Sequence, residues 1–131
     1  MCISVFDKMM IKFTIHSRLP SLNEVNNDNR ANKYKGAKLK KDTEALIIAE
    51  IKKQKVQPVT EYPVEVFIRW VEPNRKRDVD NIQSSKKFIL DAMVRAGVLA
   101  NDSQRYVAQV YDHVECADKA MVEVNVKRNE D

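Results

Sequence analysis

The sequence predicts a small α+β fold: a mixed sheet of about four strands with two main helices, in the order β-α-β-α-β-β. Three observations carry that expectation. Apolar and polar residues alternate in short segments, the period of half-buried strands. Two longer stretches without glycine or proline carry helix formers or a helical apolar period. A chain of 131 residues is enough for one core and too short for two, so residues 1–131 are read as a single domain.

The elements follow in order. Ile11, Phe13 and Ile15 alternate with Lys12, Thr14 and His16, a first strand that ends before Leu19-Pro20. Residues 21–32 are polar and rich in asparagine, and read as an ordered loop, a short helix or a mobile stretch. Residues 38–55 are rich in Lys, Glu, Ala, Leu and Ile and form a helix, with Pro58 barring its continuation. Val64, Val66, Ile68 and Trp70 alternate with Glu65, Phe67 and Arg69, the clearest strand. From about residue 79 to 96, Ile82, Lys86, Ile89, Met93 and Ala96 recur at helical spacing, and Gly97 stands where a C-terminal cap belongs. Residues 105–111 and 120–126 supply two more strands, with Asp118-Lys119 between them as a hairpin connection.

Composition excludes several classes. Apolar residues make up 44% and charged residues 32%, and mean hydropathy is -0.50; the chain is expected to fold in water, outside membranes. No run approaches the ~18 apolar residues of a spanning helix, and the start lacks the pattern of a secretory signal, so the expected location is the cytosol. Cys2 and Cys116 form no CxxC pair and no metal-ligand spacing with His16 or His113, which read as surface or structural histidines; the thiols read as inert.

Charge is uneven. Residues 1–60 hold 12 basic against 6 acidic residues and the remainder 11 against 13, within a net +4. Residues 30–55 alone carry Arg30, Lys33, Lys35, Lys38, Lys40, Lys41, Lys52, Lys53 and Lys55 against three acids. Such a cluster suits a polyanion, because cations that neutralise phosphates release counterions; it also suits a solvated helix face. Arg30, Lys33, Lys38 and Lys41 are candidate phosphate contacts, as are Arg75, Lys76 and Arg77. Tyr34, within the basic segment, is a candidate for stacking on a base.

Arg75-Lys76-Arg77-Asp78-Val79-Asp80-Asn81 joins the second strand to the second helix. In extended chain Asp78 and Asp80 point to one side and could share a divalent cation; Mg²⁺ takes one or two carboxylates and leaves positions for water and phosphate. Alternatively either acid caps the helix. At 100° per residue, Asp80, Lys87 and Asp91 share one face of a continuous helix; Lys87 and Asp91 taken alone are also an ordinary i,i+4 pair. Asp102 precedes the third strand, and if that strand lies beside the second it would bring a third carboxylate to Asp78 and Asp80, a cluster whose repulsion a metal would offset.

The run from Arg77-Asp78-Val79-Asp80-Asn81-Ile82 through Lys87, Asp91-Ala92-Met93 and Ala96-Gly97-Val98-Leu99 to Asp102-Ser103-Gln104 resembles the RusA family of Holliday junction resolvases. Leu19-Pro20-Ser21-Leu22-Asn23-Glu24 and the basic helix extend the likeness into the N-terminal half, as in phage-borne members. The resemblance implies a RusA-like homodimeric endonuclease that nicks opposite strands of a four-way DNA junction with Mg²⁺, or Mn²⁺ in its place, and no organic cofactor, in a bacterial or phage-infected cell. By motif, Asp78, Asp80 and Asp102 would be the metal-holding catalytic acids and Lys87 the essential lysine. Lys87 is preferred to Lys86 for its spacing to Asp91, which would either orient that lysine or serve as an additional acid. The chain has Asn101-Asp102 where the family often has two acids, and a longer interval between DxDN and lysine. Two rivals compete with this reading: a non-catalytic nucleic-acid-binding module whose acids are caps and ion-pair partners, and a metal-dependent nuclease for RNA or flaps.

Overall fold

The computed structural model describes residues 9–31 and 33–129. Its elements are β1 (Met9–Ile15), α1 (Leu22–Ala31), α2 (Lys33–Lys53), β2 (Val64–Glu72), α3 (Val79–Gln83), α4 (Lys86–Arg95), β3 (Val107–Cys116) and β4 (Met121–Arg128). The four strands form one mixed sheet in the order β1-β4-β2-β3, in which β4 is antiparallel to both neighbours and β2 is parallel to β3. The fold is the α+β class expected.

Alternation decides which face is covered. Ile11, Phe13 and Ile15, Val64, Val66, Ile68 and Trp70, and Val122, Val124 and Val126 are all buried. They share one core with Ile47 and Ile51 of α2 and Phe88, Ile89, Ala92 and Met93 of α4. The opposite face carries Phe67 stacked on Tyr111 at 4.8 Å and Arg69 held between Glu115 and Glu123. A slip of β2 by one residue would exchange Val64, Val66 and Ile68 for Glu65, Phe67 and Arg69 in the core, so the burial pattern fixes the register. Each buried aliphatic side chain stabilises by about 1.5–3 kcal/mol relative to exposure.

The structure settles one reading the sequence left open and departs from expectation elsewhere. Residues 21–31 are capped and helical: Ser21 Oγ accepts the Glu24 N–H at 3.2 Å, the signature of a Ser-x-x-Glu start. The basic helix α2 begins at Lys33, five residues before the expected 38. The second helical stretch is broken into α3 and α4. At the break the Ser84 hydroxyl donates to the Asn81 carbonyl at 2.6 Å, while Ser85 N–H bonds Ile82 instead, one residue short of helical register. Finally, Asp118-Lys119 does not close a hairpin, because β2 lies between β4 and β3 in the sheet.

Both long helices end in the same motif. Gly97 (φ 79°) follows α4, with Gly97 N–H bonded to Val94 O and Val98 N–H to Met93 O, the two bonds of a Schellman cap. Lys55 (φ 55°) holds the equivalent place after α2, with Lys55 N–H on Lys52 O and Val56 N–H on Ile51 O. Among the described residues no helix is long and apolar enough to cross a membrane. Cys2 lies outside the described residues; Cys116 is an exposed free thiol.

Candidate active site

Asp78 and Asp80 stand where β2 has ended and α3 begins. Asp78 is the N-cap residue, with extended backbone (φ -67°, ψ 148°), yet its side chain makes no capping hydrogen bond. The carboxylate is therefore not spent on the helix. Asp80 is also exposed and accepts the Asn81 N–H at 2.9 Å. Val79 between them is 54% exposed. A cavity of about 500 Å³ opens beside this loop, lined by Asn74, Arg75, Arg77 and Val79 on one side and His113 and Glu115 on the other. Glu115 is held below the usual carboxylate range by its hydrogen bond from Arg69.

The three cations before the acids divide. Arg75 and Lys76 are exposed, as expected of phosphate contacts. Arg77 is turned inward, its side chain 10% exposed. Its Nη1 donates to Leu19 O at 3.1 Å and lies 3.5 Å from the Glu72 carboxylate, which also accepts from Arg18 Nε at 3.2 Å. The segment carrying Leu19-Pro20-Ser21-Leu22-Asn23-Glu24 makes further contacts with α3 and the break that follows it. Asn23 Nδ2 donates to Asn81 Oδ1 at 2.8 Å, Leu22 N–H to Ser84 Oγ at 3.2 Å, and Ser85 Oγ to Pro20 O at 2.6 Å. In sequence this segment stands out by likeness alone, and nothing there marks a role for Asn23, Asn81 or Glu72. The Ser-x-x-Glu start was the one local signal there.

The two adjacent lysines also part company. Lys86 Nζ contacts Asp112 Oδ2 at 2.5 Å, and Asp112 Oδ1 accepts the indole N–H of Trp70 at 2.8 Å, so Lys86 is tied into the β2 and β3 packing. Lys87 has a side chain 60% exposed and lies 3.2 Å from Asp91, four residues on. The single helical face expected for Asp80, Lys87 and Asp91 does not form as such, because the Ser84-Ser85 break places Asp80 in a different helix from the other two.

Asp102 corrects the expected geometry most. The loop that carries it is tied to the start of β2: Val59 N–H bonds Val98 O, Val64 N–H bonds Tyr106 O, and Ala100 N–H donates to Tyr62 Oη at 2.8 Å. The strand after Asp102 does lie beside β2, but parallel to it, with Val64 opposite Val107 and Glu72 opposite Cys116. Asp102 thus precedes one end of the paired strands and Asp78 follows the other, and nine residues of strand span about 26 Å. Among the described residues no group of three or more His, Cys, Asp or Glu side chains is arranged to hold a metal. One chain offers the Asp78 and Asp80 pair, whose hard oxygens suit a cation that keeps water and phosphate ligands; it does not assemble the three-acid cradle.

The basic candidates lie on the helical side. Lys33, Lys38 and Lys41 are exposed on α2 and Arg30 on α1, with Lys38 4.0 Å from Asp42 and the Lys33 ammonium 5.4 Å from the centre of the Tyr34 ring. His16 is exposed and bonds Glu50 at 2.7 Å; His113 is exposed near Glu115.

Comparison with known proteins gives one family. The model of endodeoxyribonuclease RusA matches residues 19–127, from the segment bracing the acidic loop into β4. No match was found among curated proteins. An exposed acid pair on a braced loop, the first of the two making no capping bond, carried in a match over most of the sequence, leads to one conclusion: the chain belongs to the RusA family of endodeoxyribonucleases, hydrolases of DNA phosphodiester bonds that resolve Holliday junctions.

Proposed function

We propose that the protein acts as a homodimer of single-domain subunits and resolves four-way junctions by paired, symmetric nicks that depend on a divalent cation, Mg²⁺ or Mn²⁺. The observation that carries the proposal is the Asp78 carboxylate, left uncapped beside exposed Asp80 within a chain matched to RusA over residues 19–127. Asp78 and Asp80 would hold the cation. A bound cation lowers the pKa of its water and offsets charge on the attacked phosphate.

The protein's own groups have separable tasks. Lys87, exposed and on the end of α4 nearer α3, would set its ammonium against the attacked phosphate or the departing oxygen, while Asp91 restrains it. Arg75 and Lys76 would hold phosphates next to the acids, and Arg30, Lys33, Lys38 and Lys41 would hold an arm of the junction. Asp102 can join Asp78 and Asp80 only from a second copy, since the parallel pairing of β2 with β3 keeps it at the other end of its own sheet. A dimer in which each subunit lends Asp102 to its neighbour satisfies the family motif and supplies the two sites that two nicks require. Branched DNA as substrate implies work in the cytosol of a bacterial or phage-infected cell.

The test is incubation of labelled four-way junction, linear duplex and single strand with the protein, in Mg²⁺ and in EDTA. Symmetric paired nicks in the junction alone, only with Mg²⁺, are expected. Asp80→Asn should bind the junction as the parent does and not cut it. Binding without cutting by the parent would favour a non-catalytic module, and equal cutting by Asp80→Asn would remove Asp80 from the site.

A further inference from the structure

We infer that Arg77 and Asn23 are positioning residues for the Asp78 and Asp80 pair, acting from opposite flanks of the acidic loop. The inference rests on reading those two acids as the cation-holding pair. The loop between β2 and α3 is otherwise exposed at Pro73, Arg75 and Lys76, and two like charges on an exposed loop diverge unless something holds them.

On the upstream flank, Arg77 is the residue directly before Asp78, and its side chain, 10% exposed, is held between two elements. Nη1 donates to Leu19 O at 3.1 Å and faces Glu72 Oε1 at 3.5 Å; Nη2 lies 3.7 Å from Glu24 Oε1. Nη2 is shielded from solvent without a hydrogen-bond acceptor. A cation meant for phosphate stays where phosphate can reach it; this one is sequestered at the cost of an unmet donor. Its planar fork reaches Leu19, Glu72 and Glu24 together, which a lysine ammonium on a single stem does not.

On the downstream flank, Asn23 Nδ2 donates to the side chain of Asn81, whose backbone N–H donates to the Asp80 carboxylate. Leu22 and Pro20 hold Ser84 and Ser85, one turn further on. Asp78-Val79-Asp80 is thus fastened on both sides to one segment, residues 19–24. Outer partners of this kind, which touch neither metal nor substrate, typically contribute about 10–100-fold in metal affinity or activity.

Arg77→Lys and Asn23→Ala test this. Measured beside the parent are nicking kcat, the Mg²⁺ concentration giving half-maximal rate, Mn²⁺ binding to the DNA-free protein by electron paramagnetic resonance, and junction affinity in EDTA across a salt series. Positioning predicts for both variants a loss of about 10–100-fold in kcat and a raised Mg²⁺ requirement with weaker Mn²⁺ binding, while junction affinity stays within about twofold and its salt slope is unchanged. A phosphate contact predicts the reverse for Arg77→Lys: unaltered Mg²⁺ requirement and altered junction affinity. Asn23 is exposed, so its alanine variant keeps the test decisive should Arg77→Lys fail to fold. Parental kcat and Mn²⁺ binding in Asn23→Ala would overturn the inference. A parent that neither binds Mn²⁺ nor nicks would fail the cation reading itself, and the inference with it.

Discussion

Lys86 and Lys87 are neighbours in sequence with opposite commitments, and their alanine variants should separate cleanly. Lys86→Ala removes the cation facing Asp112, whose side chain is 9% exposed, and leaves that carboxylate with the Trp70 indole N–H as its remaining named partner. Breaking a fully buried pair costs about 3–5 kcal/mol; Lys86 is one-third exposed, so water screens part of this and about 1–2 kcal/mol is a fair expectation. Unfolding entropy of ~2.1 cal/mol/K per residue gives this chain ~0.28 kcal/mol/K, so Tm should fall by about 4–7 °C. Lys87→Ala loses only a surface i,i+4 pair, about 0.3–0.5 kcal/mol or less than 2 °C. Its nicking rate should nevertheless fall by at least ~100-fold, since a donor aimed at developing charge is worth that much. Thermal melts and junction nicking at 25 °C measure both. Lys87→Ala with parental nicking, or Lys86→Ala folded at the assay temperature but inactive, would refute the assignment.

Two stability predictions follow from local geometry. Lys55 pays for a left-handed conformation that glycine adopts without strain, so Lys55→Gly should raise stability by about 0.5–1 kcal/mol in urea titration despite glycine's greater freedom when unfolded. Glu50 is held below the usual carboxylate range chiefly by the backbone N–H of His16. Its folded-state value is depressed, so its stabilisation is complete above the unfolded value, near 4.5, and is lost as pH falls through the lower folded one. Tm of the parent should drop more steeply than that of Glu50→Gln below about pH 4.5.

What the sequence conveyed, and what it did not, divides on physical lines. Strand β2 and the Gly97 cap are local: alternation and a required positive φ act within a few residues, and both are where the pattern puts them. The break at Ser84-Ser85 has no sign in the apolar spacing, which continues across it from Ile82 to Met93, while the hydroxyls at the break bond Asn81, Leu22 and Pro20, two of these distant in sequence. The asparagines of α1 favour turns as readily as helix and leave that stretch ambiguous in sequence, although Ser21 and Glu24 form a capping pattern. The direction of β3 was available: a strand, a helical crossover and an adjacent strand make a parallel pair. That rule alone moves Asp102 away from Asp78 and Asp80 within one chain. The inward turn of Arg77 had no local sign, since a three-cation run reads as surface until Glu72, Arg18 and Leu19 O are seen around it.

Mixing Asp80→Asn with Asp102→Asn subunits tests sharing of the site between two chains most directly, each variant alone being expected to be inactive. In a shared site, half of a randomly reassorted population is mixed dimer, and each mixed dimer holds one site with all three acids intact. Single nicks in the junction should therefore return at about a quarter of the parental rate per subunit, without paired cleavage. Mixed subunits that exchange freely and still cut nothing would contradict the shared site, and cutting by either variant alone would take its aspartate out of the chemistry.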